Sequence, residues 1–175
     1  CSSDLSRSLR FNSADSAYLN RTPASAGNRR TFTISFWMKR GALGTIQYLF
    51  GAGSGTTEST WFAVALDVVT ASDQIGSGSW TTTGGYTNAR LRDPSAWYHI
   101  VLAIDTTQAT AANRSTLYIN GVLQTYTGAV ALSLNADLAW NNSGVVHYIG
   151  ARIDAGPRMF FDGYITEIKI GRAHV

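Results

Sequence analysis

Carboxylates lead the residues that could do chemistry here. Retaining cleavage of a glycosidic bond needs two of them, held about 5–5.5 Å apart. The chain has two glutamates far apart in sequence, Glu58 in a Thr/Ser-rich stretch and Glu167 with no acid beside it. Serine is abundant, but no Gly-x-Ser-x-Gly elbow occurs to activate one. His99 and His147 fall within strand-like apolar patterns, where an imidazole reads as a hydrogen-bonded structural group. Zinc-ligand spacing and a phosphate-cradling glycine loop are both missing. This inventory does not describe an enzyme.

Binding chemistry fits better. A sugar site needs an aromatic face for the C–H side of a pyranose, with amides, carboxylates or guanidinium groups for its hydroxyls. Aromatics in alternating segments, such as Phe32, Phe36, Tyr48, Phe50, Phe62, Tyr98, Tyr118 and Tyr148, read as core. Others sit in polar, turn-rich stretches. Trp80 and Tyr86 flank Thr81-Thr82-Thr83-Gly84-Gly85, and Trp140 precedes Asn141-Asn142. These two clusters are the candidate glycan-binding residues; the alternative is that each ring plugs an open end of the core. Calcium, which wants several converging oxygens, is allowed by Asp137, Asp154, Asp162 and the carbonyls near Gly156, without a contiguous Asp-rich loop.

The elements that must position these groups are strands. In Thr31-Phe32-Thr33-Ile34-Ser35-Phe36-Trp37-Met38-Lys39, alternate residues put Phe32, Ile34, Phe36 and Met38 on one face and Thr, Ser, Trp and Lys on the other. Residues 97–104 behave similarly, with Tyr98, Ile100, Leu102 and Ile104 on one face. Further strands are expected at 9–11, 17–20, 47–51, 61–66, 88–91, 117–120, 122–125, 145–150 and 159–168. Asn120-Gly121, between two of them, is a tight hairpin signal, because a type I′ turn needs positive φ at both central residues. It reads as scaffold that fixes strand register. No segment holds a helical period over three turns, and residues 106–113 read as a loop. The expected fold is all-β: a two-sheet antiparallel β-sandwich of the jelly-roll kind.

Bulk properties agree with a single domain. There are 175 residues, 45% of them hydrophobic, with 17 glycines and three prolines. A formal charge of +3, with basic residues scattered, gives no nucleic-acid stripe. No apolar run approaches the roughly 18 residues of a membrane span. The two ends are unusual. Cys1-Ser2-Ser3-Asp4-Leu5 can be encoded by a string whose reverse complement encodes Lys-Ile-Gly-Arg-Ala, the residues from Lys169 to Ala173. Residues 1–5 and 170–175 are therefore read as adapter-derived, which leaves 6–169 as the domain and sets Cys1 and His174 aside.

Several segments together resemble the laminin-G-like, concanavalin A-like lectin/glucanase superfamily. They are Phe32-Thr33-Ile34-Ser35-Phe36-Trp37-Met38-Lys39, Tyr48-Leu49-Phe50-Gly51, Trp97-Tyr98-His99-Ile100-Val101, Leu117-Tyr118-Ile119-Asn120-Gly121, Tyr148-Ile149-Gly150 and Phe161-Asp162-Gly163-Tyr164-Ile165. The resemblance implies two curved sheets, a concave face, and rim loops that often bind glycans and sometimes calcium. Glucanases of this kind place acids as Glu-x-Asp-x-x-Glu on one strand, which this chain lacks, and Gln74-Ile75-Gly76 only echoes part of a lyase pattern. The openings Ser8-Leu9-Arg10-Phe11-Asn12 and Ala17-Tyr18-Leu19-Asn20-Arg21-Thr22-Pro23 are similar to those of tailed-phage structural proteins. This implies a virion or extracellular module that holds a surface glycan or polysaccharide, with other virion subunits as partners. The alternative is a structural virion domain with no small ligand.

Overall fold

The alternation in Thr31–Arg40 becomes a ten-residue strand whose inward residues Phe32, Ile34, Phe36 and Met38 are all buried. In the computed structural model the protein is described for residues 8–67, 73–78, 85–128, 132–153 and 156–171. In chain order the strands begin β1 (Leu9–Phe11), β2 (Leu19–Arg21), β3 (Thr31–Arg40), β4 (Gln47–Gly53), β5 (Trp61–Leu66), β6 (Ile75–Gly78), β7 (Gly85–Thr87) and β8 (Tyr98–Asp105). They continue β9 (Ser115–Ile119), β10 (Val122–Leu123), β11 (Tyr126–Thr127), β12 (His147–Ile149), β13 (Arg152–Ile153), β14 (Pro157–Arg158) and β15 (Gly163–Gly171).

Two antiparallel sheets carry the fold. Six strands run in the order β1-β15-β3-β8-β9-β10, and seven in the order β11-β7-β6-β5-β4-β12-β2, while β13 and β14 form a small separate hairpin. Their facing sides make one core. Phe36 meets Phe50 across the gap at 4.7 Å between ring centroids, and Phe32 meets Phe62 edge-on at 6.1 Å. Burying each such ring is worth about 1.5–3 kcal/mol. A bulge between Tyr48 and Phe50 lets Leu49 and Phe50 both face this core, while Tyr48 turns outward against Trp61. The all-β jelly-roll sandwich expected from the alternation is the architecture observed.

Some expected boundaries moved. No strand forms over 88–91. Pairing stops at Thr87, whose Oγ1 donates to the Ala89 carbonyl, and the Leu91 N–H is drawn to Asp73 O instead of a neighbouring strand. The expected loop over 106–113 contains a single 3₁₀ turn at Ala111–Asn113. The last strand runs past residue 169 to Gly171, with Ile170 opposite Ile34. The Asn120-Gly121 hairpin forms between β9 and β10, with Val122 opposite Ile119 and φ values of 51° and 80° at its two central residues. Among the described residues no helix is long and apolar enough to cross a membrane.

Candidate functional site

The edge of the seven-stranded sheet opens into a cleft. Leu19 pairs with Ile149, which pairs with Phe50, so all three side chains share the inward face. Burial fades along that row: Phe50 is buried, Ile149 half-buried and Leu19 46% exposed. The neighbouring row does the same, from buried Ala52 through His147 to exposed Arg21. The two outer strands thus reach beyond the filled part of the sandwich. The gap is a cleft of about 580 Å³, closed on other sides by the 23–27 segment, Trp140, Asn141 and Ile170 of β15.

Trp140 lies at its floor. The ring is only 2% exposed and packs edge-on against Phe50 at 6.1 Å and against His147 at 4.8 Å. The sequence reading left two roles for this ring, a sugar platform or a plug at the open end of the core, and its burial is that of a plug. Its Nε1 has no hydrogen-bond partner among the described residues.

Asn141 follows in the left-handed conformation, φ 62°, which asparagine tolerates better than most residues. Its N–H donates to His147 Nε2 at 2.9 Å, its Nδ2 to Asn28 O at 2.8 Å, and its carbonyl accepts the Gly27 N–H at 2.9 Å. A Cβ on Gly27 would come within 3.3 Å of the Asn141 Cβ, so glycine permits this close approach. Asn141 therefore fastens three segments together, and Oδ1 is what it retains for a ligand. Asn142 is half-buried, closes the turn through its N–H on Ala139 O and does not line the cleft. Tyr86 lies elsewhere, on β7 opposite Gly76 and Thr127. Trp80 lies outside the described residues.

His147 has a determined tautomer. Because Nε2 accepts from Asn141, Nδ1 carries the proton and donates to Val145 O at 2.8 Å. Burial pushes this imidazole below its ordinary value; the Val145 hydrogen bond opposes that, and the positive charge of Arg21 adds to the depression. The unfolded chain then binds the proton more readily than the folded one. The stabilisation is complete above the ordinary imidazole value of about 6.5 and is lost as pH falls from there through the folded value. We expect the melting temperature to drop on going from about pH 8 to about pH 5, with a shallower drop in His147→Gln. Equal slopes in the two proteins would assign the effect to other groups.

Of the carboxylates considered for calcium, the two that are described are otherwise engaged. Asp137 pairs with Arg30 at 2.8 Å, Asp162 accepts from Ser13 Oγ at 3.1 Å, and Asp154 lies outside the described residues. No group of three metal-ligating side chains converges among the described residues, so those that are described do not fit a calcium site. Of the two glutamates, Glu58 receives the Ser133 N–H at 3.0 Å, and Glu167 is exposed where β15 slips register against β3.

Of the residues singled out in the sequence, Trp140 and Asn141 line this cleft; Leu19, Arg21 and Ile149 line it too without having been singled out, and His147 was read as structural. The available signal was Asn20-Arg21 at the end of the expected 17–20 strand, which forms instead over Leu19–Arg21.

Residues 12–173 match the family model described as the concanavalin A-like lectin/glucanases superfamily. The chain belongs to that superfamily. No curated protein matches it in sequence. Among solved structures, this concanavalin A-like chain is similar to the CBM40 module of a Ruminococcus gnavus sialidase bound to α2,3-sialyllactose. The identity is 17% and the TM-score 0.60, over 91% of this chain and 94% of the module. It is also similar to a heptameric SAP-like pentraxin from Limulus polyphemus, with 13% identity, TM-score 0.59, and 87% and 68% of the two chains covered. A variant of the NanB sialidase from Streptococcus pneumoniae matches at 15% identity and TM-score 0.60, over 93% of this chain but 25% of the sialidase. At such identities the likeness concerns the fold, and function has to be argued from the site.

Proposed function

We propose that this domain is a non-catalytic carbohydrate-binding module, with the edge cleft as its glycan site and an acidic sugar as the ligand class. The observation that carries this reading is the Arg21 guanidinium at the mouth of a cleft with an apolar floor. No carboxylate pairs with Arg21 among the described residues, although the same structure neutralises Arg30 and Arg40. A planar guanidinium suits a sugar carboxylate. Leu19 and Ile149 suit the C–H face of the ring, and Asn141 Oδ1 accepts a hydroxyl. The sialyllactose-bound relative supports the same class. In a phage virion or tail fibre, the setting suggested by the opening residues, many copies would convert a weak site into firm attachment to a host polysaccharide.

The test is binding of the full chain to sialylated and uronate-containing oligosaccharides beside their neutral counterparts. We expect acidic ligands to bind, and Arg21→Ala to weaken them about tenfold, the worth of one charge-assisted pair, with melting unchanged. A folded protein that binds none of them, or binds equally well without Arg21, overturns the reading. The burial of Trp140 favours a second reading in that event: a structural or assembly domain whose exposed Leu19 and Ile170 are covered by another subunit.

A further inference from the structure

The outer face of the six-stranded sheet carries a second aromatic cleft, remote in character from the first. Two of the five tryptophans, Trp37 on β3 and Trp97 just before β8, line a depression of about 550 Å³ together with His99, Asn120 and Gly121. Trp37 lies directly across the strand pair from His99, and the two rings stack at 4.9 Å with 30° between their planes. His99 is held in turn by Ser35 Oγ at 3.1 Å from its Nε2. Trp97 leans on Tyr164 at 6.4 Å, over which Arg10 sits at 5.7 Å.

The hairpin supplies the polar group. Asn120 and His99 exchange two hydrogen bonds: the His99 N–H donates to Asn120 Oδ1 at 2.8 Å, and the Asn120 N–H donates to His99 O at 2.8 Å. The first of these fixes which end of the amide faces the sheet. Nδ2 is thereby aimed away from the strand, with two N–H donors that have no partner among the described residues. Gly121 completes the type I′ turn without a side chain, which keeps the mouth of the depression open.

We propose that this depression is a second glycan site, one that takes a neutral pyranose unit. Two half-buried indoles offer flat apolar surface for ring C–H groups, and the preset Asn120 amide donates to a hydroxyl. Among the described residues no carboxylate, lysine or arginine lines it, which distinguishes it from the Arg21 cleft and selects an uncharged ring. The rings and the amide are held by contacts that exist without ligand, so little ordering accompanies binding. The module would then hold two glycan units at once, on a sheet face and at a sheet edge.

Titration of the full chain with neutral hexasaccharides of gluco, manno and galacto configuration, followed by tryptophan fluorescence and calorimetry, tests this. At least one should bind saturably. Trp97→Ala should weaken it about tenfold or more, Trp97→Phe should restore most of the affinity, and Arg21→Ala should leave it unchanged. The last comparison separates this site from the edge cleft, since either can fail alone. The proposal is overturned if no neutral fragment binds, or if Trp97→Ala binds as tightly as the parent chain. It is equally overturned if the chain self-associates through this face, seen as concentration-dependent sedimentation that Trp97→Ala abolishes.

Discussion

Replacing Arg40 with alanine should destabilise the domain by about 3–5 kcal/mol, a large fraction of the roughly 5–15 kcal/mol that holds a domain together. Arg40 takes the last inward position of β3, where the alternation calls for an apolar residue, and it is 1% exposed. Its guanidinium donates to Asp67 Oδ2 at 2.7 Å, to Asp73 Oδ1 at 3.2 Å and to the Leu91 carbonyl at 2.9 Å. The Asp67 side chain is fully buried too, so removing the cation leaves a carboxylate in the interior with no counter-charge. Asp67 also accepts the Asp73 N–H, which ties both ends of the 67–73 segment to the same centre. Urea unfolding of Arg40→Ala and of Arg40→Met/Asp67→Asn reads out the cause. The double variant removes both charges and retains an amide at the positive-φ position, so it should recover part of the loss. A single variant within about 1 kcal/mol of the parent would show the pair to be no more than a surface bridge.

That centre shows where the sequence stops being legible. Arg40 continues a polar-looking end, Lys39-Arg40; the alternation puts position 40 on the inward face, but nothing in it shows that the strand continues that far or which acids meet the buried cation. The strands themselves were plain wherever both partners alternate strictly, as in β3 and β8, because period two is the direct imprint of one buried face. The strand Ile75-Gly76-Ser77-Gly78 was not among those expected. Its glycines lie on the outer face opposite Ala65 and Ala63, and a residue with no side chain prints no alternation. The 88–91 error has a similar root: local residues favoured a strand, but the decisive acceptors, Asp73 O and Thr125 O, come from distant segments.

The site was half legible for the same reason. Trp140-Asn141 drew attention as a ring next to amides, and the pair does line the edge cleft. The cleft exists because β2 and β12 overhang the core, however, and the pairing of Arg21 with His147 joins residues far apart in the chain. Trp37 was visible on the polar face of its strand, an outward tryptophan in a row of Thr, Ser and Lys. Its neighbour His99 was read by pattern as structural, and it is hydrogen-bonded as that reading holds. Their stacking depends on register between β3 and β8, which residue types alone do not specify.

Trp140→Ala should lower stability by about 3–5 kcal/mol, and this result separates the two roles open to that residue. An exposed sugar platform can be truncated with melting unchanged and affinity lost. A buried ring cannot, because its removal leaves a void beside Phe50 and takes the edge contact from His147. One face borders the edge cleft, into which neighbours and water can relax, so the lower end of the range is the better expectation. No hydrogen bond is lost with the indole, since Nε1 has no partner among the described residues. Trp140→Phe should therefore restore most of the stability by refilling the floor. Loss of the Trp140 support should also free His147 and, through it, the Asn141 turn, so acidic-glycan affinity should fall together with melting temperature in Trp140→Ala. Both should return together in Trp140→Phe. A Trp140→Ala protein that melts like the parent yet no longer binds would place the ring in the open, as the ligand's own platform.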